Sequence, residues 1–174
     1  MSNPTTNTKS IYLCSPHGSS GKTALGIGLF LKLREQGHSP GYFKPIGDPY
    51  SERVHTRVDK DINVILSVVG RRFAAEDICP VFLSEDYFLD EMTPAEVPEV
   101  LDMIEDKYNQ IANNSDVMII EGCHNARQFD CLGISDVILA KRFNSEVIVV
   151  SSIRTDQDLN EAIWLCKMFR AEDI

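Results

Sequence analysis

Lys22 and Thr23 close a glycine-bearing stretch, Ser15-Pro16-His17-Gly18-Ser19-Ser20-Gly21-Lys22-Thr23, whose residue types suit a polyphosphate. Glycines at 18 and 21 let backbone N–H groups approach an oxyanion closely, because no Cβ intervenes. A lysine ammonium at this point would neutralise β- and γ-phosphate charge, and a threonine hydroxyl would offer an oxygen to Mg²⁺. The spacing G-x-x-x-x-G-K-[ST] asks for glycine at position 16, where the chain has Pro16. Context supports the phosphate reading all the same. An apolar run precedes the stretch and a helical pattern follows it, so the loop would present its amides at a helix N-terminus. An ordinary strand-to-helix turn is the alternative. Within the loop, His17 could donate to a phosphate, and His124 and Arg127 lie where the same crevice would be reached.

These groups need a scaffold, and short apolar runs alternating with helical patterns predict a parallel sheet wrapped by helices. Ile11–Cys14 reads as the first strand and Lys22–Gln36 as a helix with a wide apolar face, Ala24, Leu25, Ile27, Leu29, Leu31 and Leu33. Gly41–Lys44 reads as a second strand ended by Pro45. Asp61–Val69 is a short helix closed by Gly70, and 71–80 and 84–96 are irregular, with Tyr87, Phe88 and Leu89 anchoring a loop. Pro98–Asn113 is a helix carrying Leu101, Ile104, Tyr108 and Ile111 on one side. Val117–Glu121 is a central strand by its unbroken apolar run. A helix over Ser135–Phe143, a buried strand over Val147–Val150 and a helix over Asp158–Arg170 follow. Thr155 and Asp158 form a capping box before that last helix, whose Leu159, Ile163, Cys166 and Phe169 are expected to cover the sheet.

Composition narrows the possibilities. The 174 residues fit one domain; 43% are hydrophobic and 25% charged, as in a globular chain. Residues 1–8 read as a flexible leader and 9–174 as the folded domain. The net charge of −9 argues against nucleic acid as a partner. No apolar run has the length of a membrane span, and no secretion signal is present. Five scattered cysteines (Cys14, Cys79, Cys123, Cys131, Cys166) fit reduced thiols in a cytoplasm. Cys123, His124 and Cys131 match no common zinc spacing, so packing is the better account of them.

The loop, together with GYFKPIG (Gly41–Gly47), Asp59-Lys60-Asp61 and MIIEG (Met118–Gly122), resembles the dethiobiotin synthetase-like branch of P-loop proteins. The order G-K-[ST], F-K-P, D-x-D and a strand ending E-G is most similar to the N-terminal domain of phosphate acetyltransferase-family proteins. The resemblance implies an α/β, three-layer P-loop NTPase-type fold with a mainly parallel sheet, here expected to lack its C-terminal strands. It implies ATP and Mg²⁺ as cofactors, with Lys22 and Thr23 as the phosphate and magnesium groups; by their place in the loop, His17, Gly18, Ser19, Ser20 and Gly21 are the other candidate nucleotide contacts. It assigns the metal to Thr23, Asp61 and Glu121, with Asp59 as a substitute for Asp61; both aspartates equally suit a helix N-terminus. It makes Lys22 and Lys44 the catalytic cations, Lys44 facing the crevice at a strand's C-terminal end.

A regulatory or nucleotide-sensing module is the expected function, with an ATP-dependent ligase (dethiobiotin synthetase or cobyrinic acid amidase-like) activating a carboxylate or carbamate as the alternative. Ile46-Gly47-Asp48 replaces the small hydroxyl residues that contact substrate in the synthetases, which puts a diamino-acid substrate in doubt. The chain stops soon after its last helix, so an unpaired sheet edge, a homodimer and weak discrimination between ATP and GTP are further expectations.

Overall fold

The computed structural model describes residues 8–47, 60–70, 72–83 and 88–174. In chain order its elements are β1 (Lys9–Cys14), α1 (Lys22–Glu35), β2 (Pro40–Phe43), β3 (Ile46–Gly47), α2 (Lys60–Val69), α3 (Ala75–Ile78), β4 (Val81–Phe82) and α4 (Phe88–Glu91). They continue with α5 (Val97–Ala112), β5 (Val117–Glu121), a 3₁₀ turn at Asp130–Leu132, α6 (Asp136–Arg142), β6 (Glu146–Val149) and α7 (Asp156–Ala171). Four strands form a parallel sheet in the order β2-β5-β1-β6. The two inner strands, β1 and β5, supply the fully buried Tyr12, Leu13, Cys14, Ile119 and Ile120. Such unbroken apolar runs belong to strands covered on both faces.

Register is what matters for the site. Leu13 pairs with Glu121, so the end of β5 stands beside the start of the loop. Phe43 pairs with Ile120, which puts Lys44, the next residue, level with Glu121. Beneath them, Phe43 packs edge-on to Tyr108 of α5 at 5.9 Å and to Phe143 at 6.1 Å. Tyr108 and Phe143 stack at 4.3 Å. These aromatic contacts fix the end of β2 against the helices below it.

Several expectations need correction. α1 is apolar around much of its surface, yet Leu25 and Leu31 are exposed, and its buried positions are Lys22, Gly26 and Phe30. α7 buries Leu165 and Phe169, while Leu159 and Ile163 face outward. It also starts two residues early, because Thr155 is the cap itself: Asp158 N donates to Thr155 Oγ1 at 3.2 Å and Thr155 N to Asp158 Oδ2 at 2.8 Å. β6 is an edge strand, paired with β1 alone among the described residues, and Ile148 is exposed. The stretches expected to be irregular hold α3 and α4, and outside them lies a second small parallel pair, Ile46 with Val81 and Gly47 with Phe82. Two-residue strands and four-residue helices are too short to leave a periodic signal. Leu89 is exposed on α4, and Tyr87 lies outside the described residues.

None of the five cysteines, all among the described residues, forms a disulfide: Cys14, Cys79 and Cys123 are buried, Cys131 is exposed and Cys166 half-buried. Burial raises the Cys14 thiol far above its ordinary pKa, with Asp136 adding to the effect. Among the described residues no helix is long and apolar enough to cross a membrane.

Candidate functional site

The loop after β1 divides into two halves. Pro16 is buried, and the imidazole of His17 turns toward α7, its Nε2 3.0 Å from Glu161 Oε2 and 3.7 Å from Asp158 Oδ1. The His17 carbonyl accepts from Ser15 Oγ at 2.6 Å and from Ser20 Oγ at 2.7 Å, which draws the loop into a tight arc. Gly18 to Thr23 then lead into α1. Gly21 sits at φ 94°, a conformation that suits glycine, as the first residue before the helix. Among the described residues no side chain caps α1, and no acid stands in its first turn. Its N–H groups and positive end therefore remain available to an anion.

Lys22 is 7% exposed and its ammonium donates to Ser15 Oγ at 2.6 Å and to the His124 carbonyl at 3.5 Å. Thr23 stands over two carboxylates: its hydroxyl bonds Glu121 Oε1 at 2.8 Å and Asp61 Oδ2 at 3.1 Å. Glu121 is 2% exposed at the tip of β5. Its second oxygen accepts from the Tyr42 hydroxyl at 2.5 Å. Lys44 is fully buried, with Nζ 3.4 Å from Glu121 Oε1 and 3.7 Å from Asp61 Oδ2. Lys22, Thr23, Lys44, Asp61 and Glu121 are thus brought to one place, from the ends of two strands and the starts of two helices. Gly18, Ser19, Ser20 and Gly21 border it. Asp59 lies outside the described residues.

Two carboxylates and a hydroxyl form a set of hard oxygens. Mg²⁺ accepts few protein ligands, completing its shell with water and phosphate oxygens, so Thr23, Asp61 and Glu121 fit it. Among the described residues no group of three or more His, Cys, Asp or Glu side chains gathers as a metal site. A bound Mg²⁺ would neutralise phosphate charge. Lys44 supplies positive charge to the same carboxylates, which is what makes a buried Glu121 tolerable.

Three contributors escape a reading by pattern. Ser15 and Tyr42 act only through contacts to Lys22 and Glu121. Asp136, at the first turn of α6, is completely buried; it accepts from the Tyr12 hydroxyl at 3.0 Å and from Cys123 N–H at 2.8 Å. It thereby pins the backbone just past Glu121. Burial raises its carboxyl to a pKa of about 6, against the opposing effects of the Cys123 N–H, the Lys22 charge and the Tyr12 hydroxyl. In sequence it is indistinguishable from an acid favoured at a helix N-terminus.

The AAA domain family AAA_26 matches residues 9–174. The chain belongs to that family. It is 24% identical over 152 residues to the ATP-dependent dethiobiotin synthetase BioD of Clostridium perfringens, covering 83% of this chain and 65% of the synthetase. It is 27% identical over 132 residues to the phosphate acetyltransferase of Pseudomonas putida, covering 76% of this chain and 18% of the transferase. The chain therefore spans under two thirds of the synthetase and about a fifth of the transferase. Among solved structures, the BceF tyrosine kinase domain aligns over 94% of the chain and 64% of its own length, with a TM-score of 0.44 and 18% identity. The AAA_26 assignment agrees with the three-layer α/β P-loop architecture and with the dethiobiotin synthetase-like resemblance seen in the motifs.

Proposed function

We propose that the chain binds ATP with Mg²⁺ and serves as a nucleotide-sensing module. The observation that carries this is the meeting of Lys22, Thr23, Asp61, Glu121 and Lys44 at the uncapped N-terminus of α1. Lys22 would exchange Ser15 for phosphate oxygens, the Gly18–Gly21 amides would cradle the phosphates, and Thr23, Asp61 and Glu121 would hold the metal. The motif resemblance to the N-terminal domain of phosphate acetyltransferase-family proteins, one of which the chain matches at 27% identity, supports the regulatory role. Calorimetric titration with ATP, with and without Mg²⁺, tests the reading. Micromolar binding that weakens without Mg²⁺ is the expected result, and absence of binding under both conditions rejects it.

The fully buried Lys44 beside the metal carboxylates favours one second reading, an ATP-dependent ligase acting on a small carboxylate or carbamate. In such a reaction two lysines and a metal would position and neutralise the transferred phosphoryl group, which is where most of the catalysis lies. Phosphate release that depends on an added acceptor would establish the ligase; tight binding without turnover supports the sensor.

A further inference from the structure

We infer that His124 recognises the terminal phosphate of the bound nucleotide and so separates a triphosphate from a diphosphate. This rests on the nucleotide-binding reading above and adds a residue to it. A side chain at position 18 would enter the His124 imidazole: Cε1, Nε2 and Nδ1 of that ring are the atoms nearest to where a Cβ on Gly18 would stand. The ring therefore stands against the loop backbone, in space that only a glycine leaves open. Two backbone contacts keep it there. The His124 carbonyl accepts from Lys22 Nζ at 3.5 Å, and Ala126 N–H donates to the Ser15 carbonyl at 2.9 Å.

Position selects the phosphate. The lysine of such a loop reaches the β- and γ-phosphates. The β-phosphate sits within the loop amides at the helix N-terminus. Glu121, a candidate ligand for a Mg²⁺ that would neutralise phosphate charge, stands at the end of β5, three residues before His124. A γ-phosphate held there would face the loop after β5, where His124 is half-buried. An imidazole always carries at least one N–H, and that donor would meet a phosphate oxygen in a charge-assisted hydrogen bond.

The test compares ATP and ADP affinity by calorimetry for the parent chain, His124→Ala, His124→Gln and Gly18→Ala. The parent is expected to prefer ATP. His124→Ala should lose about tenfold in ATP affinity while ADP binding stays within about twofold, as for the loss of one charge-assisted contact. His124→Gln, which keeps an N–H donor, should recover most of that loss. Gly18→Ala, which places a methyl group in the ring's space, should weaken ATP at least as much as His124→Ala does, and ADP as well, because Gly18 also belongs to the phosphate cradle. Equal weakening of ATP and ADP in His124→Ala, or no change in either, overturns the inference while leaving the nucleotide reading intact. A parent chain that binds neither nucleotide overturns both.

Discussion

At the scale of single residues, the site is a balance of buried charges, and Lys44 holds it. Its ammonium lies within ion-pair distance of Glu121 and Asp61, and the Glu121 carboxylate has almost no contact with solvent. Removing one member of such a group leaves an uncompensated charge, so Lys44→Met should lower stability by about 3 kcal/mol. Added Mg²⁺ should restore part of that loss, more than it stabilises the parent, because it supplies positive charge to the same oxygens. Thermal melting of both proteins with and without Mg²⁺ checks this; an identical Mg²⁺ response would mean that the carboxylates do not bind the ion. Asp136 makes a second prediction, in pH. Its folded pKa of about 6 lies above the ordinary carboxylate value of 3.8, so the native state holds the proton where the unfolded chain has released it. Stability from this group is fully present below pH 3.8 and is lost as pH rises to about 6, by roughly 3 kcal/mol. In Asp136→Asn that slope should vanish from denaturant midpoints measured between pH 4 and pH 6.5. A slope equal to the parent's would assign it to another group.

At the scale of elements, sequence and structure part company in an orderly way. The loop, β5, α2 and α5 were legible because each has either a sharp punctuation mark or a long periodic face. Glu121 and Lys44 could be placed at strand ends, and parallel register then sets them side by side. α1 and α7 misled because pattern reports which residues are apolar, not which side a sheet lies on. α7 buries Leu165 and Phe169 rather than the equally apolar Leu159 and Ile163. The four-residue α3 and two-residue β4 carry too little pattern to be seen at all. What ties neighbouring helices together is also invisible to periodicity. Arg142 of α6 donates to Glu105 of α5 through Nε at 2.9 Å and Nη2 at 2.6 Å. Arg142→Ala would leave the 8%-exposed Glu105 without its cation. Because Arg142 is partly solvated, the expected cost is about 2 kcal/mol. Chemical denaturation should show it, with nucleotide affinity unchanged, since the pair lies on the helix side of the sheet. A loss of affinity would reveal coupling from α6, through Asp136, to the site.

At the scale of the whole molecule, the surface around β6 and α7 asks for a partner. β6 offers an edge among the described residues; Ile148 is exposed on it, and the exposed Ile153 and Ile163 line a groove with Val149 of β6. Large apolar side chains next to a strand edge left open among the described residues form a surface suited to association. A second copy of the chain fits the geometry: a two-fold axis beside β6 would set the two β6 strands antiparallel and pair each patch with itself. We therefore expect a homodimer in sedimentation at micromolar concentration, and a monomer for Ile153→Glu/Ile163→Glu, which puts like charges at the centre of the patch. Each copy carries a net charge of −9, so electrostatics oppose this assembly while apolar burial favours it. Added salt screens the first and leaves the second, so the dimer should tighten between low and physiological ionic strength. Dissociation on adding salt would mean that ion pairs, not the apolar patch, hold the copies together. A parent chain that stays monomeric throughout would reject self-association through β6.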